Sequence, residues 1–194
     1  MDINIAIFKA INGLAYKSVL LDKIMIVFSD YVPDVFMLAL AAFYLYGIYK
    51  KNEEMRYTSL DTLITTVINL FISFLIGHFF FIQRPFMTGK VNLLYSHAAD
   101  ASFPSDHAIG TMSIALGLLN YSRAYGGILI LLSCIVGISR VYVGHHFPLD
   151  VVGGFMISIA VNCLYGIILR RRLRKIYTCM EGIVFKKGIF KGLN

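Results

Sequence analysis

A chain of 194 residues has the length of a single domain, 1–194. Its hydrophobic fraction of 58% and mean hydropathy of +0.71 exclude an ordinary soluble domain. The net charge of +7 would admit nucleic acid as a partner, but the basic residues gather at the ends of apolar segments, above all at Arg170, Arg171, Arg172, Arg174 and Lys175, which fits cytoplasmic loops and anionic headgroups instead.

In chain order, residues 3–15 carry Ile3, Ile5, Ile7, Phe8, Ile11 and Leu14, the pattern of a short amphipathic helix lying at a membrane surface or against the bundle. Residues 18–31 are apolar but include Asp22, Lys23 and Asp30. A helix of that length covers roughly 21 Å, short of a hydrocarbon core of about 30 Å. The segment reads as a short, tilted or partial span, broken by Pro33 from the next span at 34–49. A charged loop at 50–57 leads to the long span 58–82, which is interrupted by Asp61, Asn69 and His78. Residues 85–103 form a polar loop too long for a mere connector. Further spans follow at 104–120, 124–141 and 149–169, then a basic tail whose last part, 182–194, reads as surface-associated or disordered. The expected fold is an all-α polytopic membrane bundle of about five to six transmembrane helices plus the N-terminal amphipathic helix. Cys134 and Cys163 read as buried thiols within spans; with Cys179 they make an odd number without metal-type spacing. Asp2 and its neighbours show no cleavable-signal pattern.

Lysine and arginine give the orientation. The connection 50–57, the short turn with Arg123 and the tail after 169 are the basic ones and face the cytoplasm. The connections 84–103 and 142–148 then face outward. Three knots of ionisable residues fall on that outward side: Arg84 before Pro85, Ser105-Asp106-His107 after Pro104, and Arg140 with His145, His146 and Asp150. Ionisable groups beside hydrocarbon are costly, so such groups are functional candidates by default.

His146 and Asp150 are four residues apart, one face of a helix. A carboxylate on one imidazole nitrogen would fix the tautomer and free the other as base or nucleophile. A first-turn carboxylate beside an interfacial histidine would look the same. His145 competes for the role with a less natural spacing and reads as supporting or exposed. Arg84 and Arg140 suit multidentate phosphate binding, though each alone could be an arginine snorkelling at a span end. Ser105 and His107 open a helix, where free N–H groups and the dipole favour an anion. Ser105 adds a hydroxyl or a cap, and His107 a general acid. Asp106 is awkward beside phosphate; it would hold an arginine or help place a cation. His97 and Asp100 either touch the substrate headgroup or order the outer loop. His78 reads as a hydrogen-bonded interior histidine.

Arg84-Pro85, then Pro104-Ser105-Asp106-His107, then Ser139-Arg140 with His146 and Asp150 resemble the three signature motifs of the type 2 phosphatidic acid phosphatase superfamily. The third motif is met in full: arginine, five residues, histidine, three residues, aspartate. The stretches Phe8-Lys9-Ala10-Ile11-Asn12-Gly13-Leu14 and 97–107 resemble the bacitracin-resistance subgroup of undecaprenyl-diphosphate phosphatases. Two positions depart from the superfamily pattern: Gly77 stands where a lysine is usual, and Asp106 where glycine is usual, the latter fitting the subgroup.

The resemblance implies a multi-pass enzyme of a bacterial cell membrane, acting on its outer face on a polyprenyl diphosphate. It would recycle the cell-wall lipid carrier and confer bacitracin resistance, without a cofactor or catalytic metal. His146 would be the nucleophile forming a phosphohistidine, Asp150 its orienting group and His107 the acid. Arg84, Ser105 and Arg140 would hold the phosphoryl oxygens. The same chemistry on phosphatidic acid or phosphatidylglycerol phosphate is the near alternative. A haem or metal protein and a non-enzymatic transporter are remote ones.

Overall fold

The computed structural model describes residues 2–187, with side chains through residue 181. They form α1 (Ile3–Asn12), α2 (Val19–Ile26), a π-turn (Val27–Tyr31), α3 (Val32–Tyr49), α4 (Glu53–Phe79), the single turn α5 (Pro85–Thr88), α6 (Asp106–Leu119), α7 (Arg123–Tyr142), α8 (Pro148–Ile168) and α9 (Arg170–Lys187). No strand occurs among the described residues. Four helical stretches have the length and apolarity to cross a membrane: Val19–Tyr49, α4, α7 and α8. With the shorter α6 between them they make the membrane bundle.

The largest departure from the sequence reading lies at Pro33. The segments 18–31 and 34–49 are not two spans but one continuous 31-residue helix. The proline falls at the start of α3, directly after the π-turn, where the helix ladder is already rearranged and a missing N–H does not end it. Residues 170–187 are helix, so of the two readings of 182–194 disorder does not hold for the described backbone; residues 188–194 lie outside the described residues. Cys163 is exposed on the outside of the bundle and Cys134 is half-buried, so neither is the fully buried thiol expected.

The central helix is α6, packed against α3, α4, α7 and α8. It is short, but Ala108, Ala115 and Gly117 let neighbours approach closely, as membrane bundles require. At Gly117 an added Cβ would meet the Thr62 side chain at 2.2 Å, and at Gly126 it would meet the Leu119 backbone at 2.3 Å. The helices are polar inward and apolar outward. Helix α4 buries Thr58, Ser59, Asp61, Thr62, Thr65, Thr66, Asn69 and Ser73 while exposing Val67, Phe71 and Phe74. The buried hydroxyls of Ser59, Thr62, Thr65 and Thr66 each donate to the carbonyl four residues earlier, which satisfies them within their own helix. Asn69 Nδ2 donates to Ser113 Oγ across to α6.

Each end of the bundle is tied by side chains. At one end α9 folds back: Arg174 Nε reaches Asp61 at 2.7 Å and its Nη1 reaches Glu54 at 2.8 Å, while Arg56 pairs with Glu181 at 2.8 Å. At the other end α1 packs on α7 and α8. Asn12 Nδ2 donates to the carbonyls of Asn92 and Tyr142, both at 2.8 Å, and Asn92 N returns a bond to Asn12 Oδ1. Gly144 closes the turn after α7 with φ +89°, where a Cβ would be strained and would meet Asn92 O at 3.0 Å. The three knots meet at this second end.

Candidate active site

Four elements supply the site. Arg84 stands in extended backbone after α4, Ser105 caps α6, Arg140 lies in the last turn of α7, and His146 follows the Gly144 turn just before α8. Arg84, Ser105, Arg140, His146 and Asp150 are all buried. The geometry fixes the tautomer of His146. Arg84 Nη1 stands 2.9 Å from His146 Nε2, and a guanidinium can only donate, so Nε2 presents its lone pair. Nδ1 then carries the proton and donates to the carbonyl of Ser102 at 2.8 Å. Burial first, then the charges of Arg140 and Arg84, hold the His146 pKa well below that of a free imidazole, so the ring is neutral.

Asp150 does not make the direct bond to His146 that the four-residue spacing predicts. Its Oδ2 is 3.7 Å from Nδ1. That oxygen instead accepts from Ser102 Oγ at 2.6 Å and from the Phe147 N–H at 2.7 Å. The carboxylate fixes both the residue that receives the imidazole proton and the peptide that follows the imidazole. The helix spacing fails because α8 begins at Pro148, two residues after the histidine.

Arg84 is held at three points: Nε on Asp100 Oδ1 at 2.7 Å, and Nη1 on both His146 Nε2 and the His145 carbonyl, the latter at 3.2 Å. Asp100 therefore binds the site arginine. Its pKa is lowered: burial opposes the shift, but the Arg84 hydrogen bond and charge outweigh it. His97 packs its ring against His145 at 4.6 Å between centroids. His145 is not exposed; its Nε2 faces the Tyr95 carbonyl at 3.0 Å, and burial and the Arg140 charge push its pKa down to about 3. His107 is half-buried at the start of α6, with Arg140, His146, His97 and His145 as its charged or titratable neighbours.

Several buried polar atoms here have no protein partner: Ser105 Oγ, Arg140 Nε and Nη2, and His145 Nδ1. Three of these four can donate, and leaving a buried donor unmade is costly. Donors from Arg140 and Ser105, with the open N–H groups at the start of α6, form a set suited to phosphoryl oxygens.

Asp106 departs from the first of the two roles considered for it. It is exposed, holds no arginine, and accepts a hydrogen bond from Ser73. It lines a cavity of about 310 Å³ with Gly77, His78, Phe81, Asp100 and Phe103 beside the site. Gly77 leaves no room for a larger side chain without movement, since a Cβ would stand 3.1 Å from Ala101 Cβ. His78 is exposed and stacked on Phe74 at 6.0 Å, not an interior histidine. No three His, Cys, Asp or Glu side chains converge as metal ligands among the described residues.

Sequence reasoning missed Ser29 and Tyr95. Both hydroxyls lie 3.2 Å from Arg140 Nη1 and 2.8 Å from each other. Neither residue type stands out in a sequence; the only signal is a proline four positions after Ser29 inside an otherwise continuous apolar segment.

A helical membrane bundle that gathers two arginines, a tautomer-fixed histidine and unpaired donors at one end defines a membrane phosphatase. The chain belongs to the PAP2 superfamily, whose profile matches residues 58–174. It is similar to the undecaprenyl-diphosphatase BcrC of Bacillus subtilis, with 38% identity over 84% of this chain and 82% of that protein. It is 29% identical to the putative undecaprenyl-diphosphatase YbjG of Escherichia coli over 96% of both chains. Among solved structures it resembles the crystal structure of Aquifex aeolicus LpxE, with a TM-score of 0.72 and 26% identity over 84% of this chain and 94% of that one.

Proposed function

We propose that the chain hydrolyses undecaprenyl diphosphate to undecaprenyl phosphate and inorganic phosphate. The observation that carries the chemistry is the His146 tautomer: a neutral, buried ring whose Nε2 lone pair faces the Arg84 guanidinium. The substrate assignment is supported by the relatives' names and by their coverage of nearly the whole chain.

In the first step Nε2 attacks the terminal phosphorus. The bond from that phosphorus to the bridging oxygen breaks, and His107 supplies the proton to the leaving lipid phosphate. The phosphohistidine is then hydrolysed by water, whose proton His107 takes, releasing phosphate and free His146. Arg84 leaves Nε2 when substrate arrives and moves onto a phosphoryl oxygen, steered by Asp100, while Ser105 Oγ and Arg140 Nε and Nη2 take the other oxygens. This electrostatic clamp is the dominant source of rate in phosphoryl transfer. Asp150 acts through Ser102 and Phe147, holding Nδ1–H in place.

The site lies on the outer face of a bacterial cell membrane, because the basic connections 50–57 and 170–175 are at the other end. On that face the enzyme restores the carrier for cell-wall synthesis and competes with bacitracin for the diphosphate. The test is phosphate release by purified protein from undecaprenyl diphosphate and, in parallel, from a diacylglycerol phosphate. Preference for the polyprenyl substrate by at least tenfold in kcat/KM is expected; the reverse preference transfers the chemistry to a phospholipid.

A further inference from the structure

We infer that Ser29, Pro33 and Tyr95 form a positioning station for Arg140, built into the π-turn of the first spanning helix. The inference rests on the phosphate-site reading of Arg140 and adds residues far from the three motifs.

The local chemistry begins with Pro33. In an unbroken α-helix the carbonyl of Ser29 accepts from the N–H of residue 33. Residue 33 is proline and has none. The helix answers with a π-turn at Val27–Tyr31, closed by Val32 N–H on the Val27 carbonyl. π-turns inside α-helices occur frequently at functional sites. The Ser29 carbonyl accepts from Arg140 Nη1 at 3.3 Å, across the bundle from α7. Ser29 Oγ and Tyr95 OH stand 3.2 Å from the same Nη1. Ser29 is fully buried, so no water shares this bond. Tyr95 is itself fixed: its carbonyl faces His145 Nε2 at 3.0 Å, and its ring packs edge-on to His145 at 4.4 Å.

Three acceptors thus gather at one end of the guanidinium, while Nε and Nη2 have no protein partner. An arginine tethered only at Nη1 has its long side chain ordered before substrate arrives and keeps its remaining donors for the phosphoryl group. Holding such a donor in place adds to rate, because no reorganisation is needed as charge develops. The station differs from simple packing in one respect: Pro33 is unfavourable for helix stability, so its value lies in the carbonyl it frees.

The experiment uses full-length protein in detergent with undecaprenyl diphosphate, measuring kcat, KM, inhibition by orthovanadate and thermal stability. The variants are Ser29→Ala, Tyr95→Phe, Pro33→Ala, Arg140→Ala and Arg140→Lys, with Tyr95→Phe also placed in the Arg140→Lys background. Ser29→Ala and Tyr95→Phe are expected to lower kcat about tenfold and weaken vanadate by a similar factor, with KM within twofold. Pro33→Ala restores an N–H that competes for the Ser29 carbonyl; it lowers kcat while thermal stability holds or rises, a separation that a purely structural role would not produce. In the Arg140→Lys background, which lacks the fork, Tyr95→Phe costs nothing further. Wild-type kcat and vanadate affinity in both Ser29→Ala and Tyr95→Phe, beside an inactive Arg140→Ala, overturn the inference and leave the phosphate site standing. Full activity in Arg140→Ala overturns the phosphate-site reading of Arg140 and the inference with it.

Discussion

Arg84 Nη1 lies 2.9 Å from His146 Nε2, so the nitrogen that would attack phosphorus is covered by a donor in the absence of substrate. In the proposed mechanism that contact covers a neutral, buried nucleophile and leaves the arginine one side-chain movement from the phosphoryl oxygens. Arg84→Lys keeps the charge but loses the fork that lets Nε stay on Asp100 while Nη1 moves. It is expected to lower kcat by about a hundredfold, roughly 2.7 kcal/mol of transition-state stabilisation. Steady-state kinetics with Asp100→Asn alongside check this, Asp100→Asn giving a smaller loss because it removes only the anchor.

Asp150 reaches His146 at one remove, with Ser102 bonded to both. Ser102→Ala keeps the carbonyl that accepts from His146 Nδ1 but loses the hydroxyl bond to Asp150 Oδ2. It should lower kcat about tenfold, roughly 1.4 kcal/mol. Asp150→Ala should cost more, since the Phe147 N–H is orphaned too. Non-additive losses in the double variant would mark one shared path; independent losses would mark two.

Acid should destabilise the fold from a pH near neutrality. His97, His145 and His146 all have pKa values lowered by burial as the largest cause. Unfolded histidines take up protons below about pH 6.5 more readily than these do when folded, so the unfolded state binds more protons and stability falls as pH falls. Asp100 and Glu181, whose pKa values are lowered by Arg84 and Arg56, add a loss of the same sign at lower pH. Thermal inactivation followed from pH 7.5 to 4.5 should show a declining midpoint, with a shallower decline in His145→Gln.

The far end of the bundle carries stability, not chemistry. Asp61 is buried and accepts from Tyr165 at 2.5 Å and from Arg174 at 2.7 Å. Asp61→Ala takes the acceptor from the Tyr165 hydroxyl and leaves Arg174 paired with Glu54 alone. Removing one side of a buried pair costs about 3–5 kcal/mol; Arg174 is a quarter exposed, so about 2 kcal/mol is expected here. The thermal midpoint should drop by several degrees while KM stays unchanged.

Much of the site was legible because an apolar chain makes every ionisable residue conspicuous. Arg84, Ser105, His107, Arg140 and His146 stood out against hydrocarbon, and counting spans put them at one end. Merging 18–31 with 34–49 into one helix left that parity intact, since the merged segment lies before the first knot. What escaped was geometry without a residue-type signal. The His146–Asp150 spacing read as helical, but the helix starts at Pro148 and the contact runs through Ser102. Ser29 and Tyr95 carry ordinary hydroxyls. The polar lining of α4 was hidden because threonine and serine scarcely alter hydropathy, though burial of Thr58, Thr62, Thr65 and Thr66 defines which face of α4 turns inward.

The central claim is that His146 Nε2 carries the phosphoryl group. The direct measurement is a rapid-quench trap with undecaprenyl diphosphate labelled in its terminal phosphate, wild type against His146→Ala and His107→Ala. Acid-labile, base-stable label on the wild-type protein, more of it on His107→Ala and none on His146→Ala, is the predicted result. Label retained by His146→Ala, or phosphate release by that variant above a few per cent of wild type, would contradict the account.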